Sequence, residues 1–165
     1  PALAQDTPAQ RKGFFRREKS PDLWIGYRLQ GAWSDETGET TRKYLEIGIG
    51  KGRYVYHRHG VSGGGVYLSE EILLNGNKRI FGTKLGCFVH SPVGLDFSIV
   101  YYTDFKRGNL KLRPEVGLGM GRAGILVGFN IPTVNNKAMP ELQKQNAQVT
   151  FRLGLGVSKK EIKSK

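Results

Sequence analysis

From Leu23 onward apolar and polar side chains alternate along the chain, and this period of two predicts strands with one apolar and one polar face. The first strand sets Leu23, Ile25, Tyr27, Leu29 and Trp33 against Gly26, Arg28, Gln30 and Ser34, and the turn-rich Asp35 to Thr40 ends it. In the second, Leu45, Ile47 and Ile49 alternate with Glu46, Gly48 and Gly50, and the pattern gives no sharp end between Tyr54 and Gly60. The third runs through Val66, Leu68, Ile72 and Leu74, with Glu70 interrupting its apolar face, and stops at Asn75-Gly76-Asn77. The fourth carries Phe81, Leu85, Cys87 and Val89 against Gly82, Lys84, Gly86 and His90, and Ser91-Pro92 turns the chain into the fifth. There Val93, Leu95, Phe97, Ile99, Tyr101 and Phe105 oppose Gly94, Asp96, Ser98, Tyr102 and Asp104. A turn at Lys106 to Asn109 leads to a sixth strand, Leu110, Leu112, Val116, Leu118 and Met120 against Lys111, Arg113, Glu115, Gly117 and Gly119. Gly121 to Gly124 turns again into Ile125, Val127, Phe129 and Ile131, which Pro132 is expected to close. After the loop Thr133 to Asn146, an eighth strand sets Val149, Phe151, Leu153, Leu155 and Val157 against Gln148, Thr150, Arg152, Gly154 and Gly156.

Eight strands joined in order by turns predict an all-β fold, an eight-stranded antiparallel up-and-down barrel over residues 22–158. Residues 1–21 are polar and basic after Ala2-Leu3-Ala4 and carry Pro8 and Pro21, so they are expected to form a mobile arm; the small-residue start reads as the end of a secretory signal. Residues 159–165 form a basic tail.

Alternation alone does not say which face is inside; volume does. An eight-stranded interior holds about a dozen packed side chains in the best-known case, whereas the apolar faces here offer roughly forty, mostly large. The apolar face is therefore expected outside, against lipid, and the glycine-rich polar face inside. The lumen would then be filled by Arg28, Glu46, Lys84, Asp96, Arg113, Glu115 and Arg152 as an ion-paired plug, with Arg113 or Arg152 paired to Glu115, Asp96 or Glu46.

Composition modifies this picture little. The formal charge of +12 raises nucleic acid or an anionic membrane as partner, but much of the excess lies in Arg11 to Lys19 and Lys159 to Lys165, outside the patterned region, and no nucleic-acid partner is expected. A single cysteine, Cys87, excludes an intrachain disulfide and a closed cysteine zinc site. No apolar run approaches the ~20 residues that a membrane helix needs.

The stretch Phe81 to Gly121, with Gly82-Thr83-Lys84-Leu85-Gly86, Tyr101-Tyr102-Thr103-Asp104-Phe105 and Arg113-Pro114-Glu115-Val116-Gly117, resembles small eight-stranded outer-membrane proteins of the OmpA and OmpX type, and more closely the small barrels of Bacteroidetes-like bacteria. The resemblance is architectural, covers about residues 22–158 and implies a bacterial outer membrane as location, with outer-membrane lipid and a larger membrane protein assembly as partners. Two features depart from that pattern: Lys159 to Lys165 follows where a terminal aromatic is usual, and Pro114 inside a strand implies a bulge.

Other chemistry finds little support. Gly119-x-Gly121-x-x-Gly124 matches a dinucleotide fingerprint as a string, but a strand follows it, not a helix. His90-Ser91 near Asp96 invites a hydrolase reading, yet adjacent strand residues point to opposite faces. His57 and His59 have no further ligand set, so neither metal nor cofactor is expected. The expected function is a non-enzymatic structural or partner-docking component of the outer membrane. The alternatives are a barrel enzyme acting on lipid A or phospholipid, and a soluble lipocalin-like carrier.

Overall fold

The computed structural model describes residues 16–31, 41–75, 79–134, 139, 142, 147–157 and 160–161, and every element among them is a β-strand. In chain order these are β1 (Arg16–Gln30), β2 (Arg42–His57), β3 (Gly60–Leu73), β4 (Phe81–His90), β5 (Val93–Thr103), β6 (Gly108–Met120), β7 (Ala123–Phe129), β8 (Ile131–Val134), β9 (Ala147–Gly156) and β10 (Lys160–Glu161). Each strand pairs antiparallel with the next, and β9 pairs back onto β1, so the sheet closes into a barrel. Strands β7 and β8 form one stave, because both pair with β6, which makes eight staves in all.

The register fixes the shape. Moving sideways from Ser20 through the partners Gly52, Gly65, Phe88, Asp96, Glu115, Gly128 and Gln148 leads back to β1 at Gln30, ten residues beyond the start. With eight strands, that stagger tilts each by about 40° and sets a backbone radius of about 8 Å. So narrow a cylinder has room inside for one layer of side chains from each wall.

Burial follows the alternation. On β4 and β5 every second residue is buried and its neighbours are exposed, apart from the half-buried Phe81 and Thr103 at the strand ends. The buried phase carries the polar and charged residues, and the exposed phase carries the large apolar ones. Bulky inward rings lie over glycines of the next strand: a Cβ at Gly86 would stand 2.5 Å from the Tyr67 ring, and one at Gly82 would stand 2.7 Å from Tyr102. Glycine here is what lets the aromatic lie flat against the wall.

The structure differs from the sequence expectation at several strand ends. Strand β1 begins at Arg16 and not near Asp22, with Arg16 to Pro21 paired against Tyr56 to Lys51. In this stretch the exposed positions are Arg17 and Lys19 and the buried ones Glu18 and Ser20, so no apolar period reveals the strand. Tyr54 to Gly60 likewise belongs to a long hairpin of β2 and β3, closed by a two-residue turn at Arg58-His59 before Gly60, whose φ of +142° suits a residue without Cβ. Lys160 and Glu161 of the expected tail pair with Lys19 and Glu18. Pro114 brings no bulge: the β6 register is the same on both sides of it, and the missing N–H only divides the neighbouring stave into β7 and β8. The register shift falls at Leu110/Lys111 instead, where the stave continues past Pro132 and Thr133 Oγ1 donates to the Leu110 carbonyl. Trp33, residues 5–15, the signal-like Ala2 to Ala4, Ser158, Lys159 and residues 162–165 lie outside the described residues.

Candidate functional site

The inward phase brings together a buried electrolyte of four cations and four carboxylates at mid-barrel: Arg28, Lys84, Arg113 and Arg152 with Glu46, Glu71, Asp96 and Glu115. All seven of the residues named from the sequence are therefore on the inside, and Glu71 joins them. Glu71 is the hub of the upper half. It forms ion pairs with Arg28 at 2.8 Å and with Arg113 and lies 3.6 Å from Lys84, and the Tyr102 hydroxyl donates to it at 2.9 Å. Lys84 reaches Glu46 at 3.1 Å and Glu115 at 3.7 Å, which links the two halves. Arg152 is the hub below, paired with Asp96 and 3.5 Å from both Glu46 and Glu115.

Neutral groups take up most of the remaining bonding capacity. Ser69 donates to Glu46 at 2.7 Å, Thr150 and Gln148 donate to Glu115 at 2.6 and 3.0 Å, and Tyr67 donates to Asp96 at 2.7 Å. Gln148 also accepts from Arg28 and Asn130, while Asn130 accepts from Arg113. A cation beside every carboxylate satisfies what burial in a narrow protein interior demands.

Both mouths of the barrel are covered. At the end where β1 starts, the β2–β3 hairpin folds toward the β6–β7 turn, bringing Gly63 against Gly121 and burying Tyr54. Arg122 in that turn is the clamp: it donates to Glu18 at 2.6 Å, to Asp22 at 2.9 Å and to the Tyr56 hydroxyl at 2.9 Å, and its guanidinium stacks 4.0 Å over the Tyr54 ring. At the other end Met139 and Leu142 are fully buried against Tyr44, Ile80, Val100 and Tyr102, and Lys111 Nζ donates to the Leu142 carbonyl at 2.5 Å. The Thr133 to Asn146 loop thus sends two of its side chains into the mouth as a stopper. Nearby, hydrogen bonds from Arg107 hold the Asp104 carboxyl down to about 2 and fix the turn in which Phe105 takes a φ of 65°.

The remaining chemical candidates are few. His90 is buried and its Nδ1 lies 3.2 Å from the Gly121 carbonyl, away from Ser91. Ser91 instead meets Ser62 at 3.2 Å, and Ser62 lies 3.3 Å from His57 Nε2, so the β2–β3 hairpin supplies two of the three groups and the end of β4 the third. No carboxylate is found on the His57 ring among the described residues, and no group of three metal-ligating side chains occurs among them. Gly119, Gly121 and Gly124 lie in and beside the β6–β7 hairpin turn.

No protein-family model matches the chain, and neither does any curated protein or solved structure.

Proposed function

We propose that this protein is a transmembrane barrel of a bacterial outer membrane, closed to solutes, that serves as a structural or docking component of a larger membrane assembly. The observation that carries the reading is the outer wall. Among the described residues 27 large hydrophobic side chains are exposed, and they come from all eight staves. A water-soluble monomer rarely shows more than a few hundred Å² of contiguous apolar surface, so a wall of this kind calls for lipid. On β5 it runs from Val93 to Tyr101, about 20 Å of height at this tilt, and with the staves beside it approaches the ~25 Å of a membrane barrel. Phe81, Tyr101 and Phe105 gather where β5 turns into β6, as interfacial aromatics do. The sealed lumen supports a role other than conduction.

A second reading, a barrel hydrolase acting on lipid, has one observation in its favour, the approach of His57 to Ser62. Reconstitution tests both. The refolded chain should float with phospholipid vesicles, migrate as a heat-modifiable band and give no large stable currents in planar bilayers. Solubility without detergent, or porin-like currents, would refute the proposal. Phospholipid hydrolysis abolished by Ser62→Ala would favour the enzyme instead.

A further inference from the structure

Just beyond the apolar wall, on the outer surface of β1 to β3, lies a feature that the sealed lumen does not explain. Lys19 and Arg53 are exposed and directly paired across β1 and β2, and Lys51, also exposed, is two residues further along β2. Like charges placed opposite each other on a sheet repel. No ion pair or hydrogen bond from these three side chains occurs among the described residues, and the acidic neighbours Glu18 and Asp22 point inward to Arg122. Between the cations is a hollow of about 400 Å³ bordered by Val66 and floored by Gly52, Gly64 and Gly65. Gly64 is the outward partner of Arg53, so a cleft opens where a side chain would otherwise stand between the cations and Val89.

The position along the barrel axis decides what fits. Directly above the cations, toward mid-barrel, stand Ile49, Val66 and Val89, all exposed. A ligand bound here meets positive charge at one end and apolar wall at the other. At the opposite rim Arg107 is neutralised by Asp104 at 2.6 Å, and the exposed Lys43 and Arg79 do not share a strand pair as Lys19 and Arg53 do.

We infer that Lys19, Lys51 and Arg53 form a binding site for the phosphate of an anionic phospholipid, whose acyl chains lie along Ile49, Val66 and Val89. The inference rests on the membrane reading above and deepens it: the rim that carries the chain's first strand is held in a phospholipid leaflet by its headgroups. Surface cations of this type attract anionic lipid by about fivefold each at low salt.

The full chain, refolded in phosphatidylcholine vesicles containing a minority of phosphatidylglycerol, provides the test. Electron spin resonance of chain-labelled lipids reads which headgroup is motionally restricted by the protein. Wild type should restrict phosphatidylglycerol severalfold more than phosphatidylcholine. The K19Q/K51Q/R53Q variant, heat-modifiable as before, should lose that preference, while K43Q/R79Q at the other rim should keep it. Restricted lipid without headgroup preference, or a preference unchanged in the triple variant, would overturn the site and leave the membrane reading standing. No restricted lipid of either kind would overturn both. Loss of the preference in millimolar inorganic phosphate at constant ionic strength would assign the site to a free anion and overturn the lipid assignment.

Discussion

Glu70 and Glu71 are chemically identical neighbours with opposite fates. Glu70 points out of the wall between Ile47 and Thr83, and Glu71 points in, to Arg28, Arg113, Lys84 and Tyr102. Removing the charge of Glu71 leaves two guanidinium groups buried beside one fewer carboxylate, and breaking a buried pair in this way costs about 3–5 kcal/mol. Glu71→Gln should therefore lower the urea midpoint of the lipid-reconstituted barrel by an amount of that order. Glu70→Gln should be neutral or stabilising in the same assay, because it withdraws a charge from the apolar wall. Equal effects of the two would contradict the inward and outward assignment. The pattern of alternation makes Glu70 legible as an interruption of the apolar face. The same phase places Glu71 with Tyr67 and Ser69, yet two adjacent carboxylates read most easily as one polar break, and so the hub of the upper lumen escapes a reading by apolar positions.

Strands β2 and β3, of 16 and 14 residues, form a long hairpin, and their free end is an element of its own. Tyr54 packs there with Trp24, Tyr67 and Phe88, with Tyr56 and Val61 against them, and the contact of Tyr54 with Asp22 and Arg122 and the three donor bonds of Arg122 tie the end down. Burial first, and then the Asp22 carboxylate, push the Tyr54 hydroxyl well above its ordinary range, so it remains a donor throughout the accessible pH range. Charge-assisted bonds contribute about 1.5–3 kcal/mol each when partly buried. Arg122→Ala should therefore speed amide exchange in 54–61 by at least about tenfold and expose Arg58-His59 to trypsin, while the heat-modifiable barrel persists. Protection unchanged in the variant would show that the hairpin does not depend on the clamp. The hairpin end is illegible in the sequence because its partners, Trp24, Tyr67 and Phe88 as well as Asp22 and Arg122, come from β1, β3, β4 and the β6–β7 turn. The strands β4, β5, β6, β7 and β9 were legible almost residue by residue, since one face of each had to carry the apolar wall.

For the molecule as a whole, the consequential property is the inversion of polarity, with charge inside and hydrocarbon outside. Exposed Leu85 sits mid-wall between Leu68 and Ile99 and is solvent-accessible by 60%. In water, an arginine at such a position would cost almost nothing. In a bilayer, it should cost about 2–4 kcal/mol, so Leu85→Arg should destabilise the reconstituted protein by that amount. An unperturbed unfolding curve in lipid would count against a membrane-spanning wall. The volume of the apolar faces made the inversion readable from the sequence. The stagger of ten residues was not, because register depends on where each hairpin turns and several strand ends carry no apolar signal.

The seam between β9 and β1 gives the charged lumen a part in assembly. Arg152 comes from the last stave, and the carboxylates it reaches, Glu46, Asp96 and Glu115, come from the second, fifth and sixth. Until β9 docks, those three carboxylates have lost one of their cations, and an open sheet keeps them hydrated more cheaply than a closed one. The final strand therefore carries the key as well as the door: the cylinder can shut tightly only around a chain that has been completed.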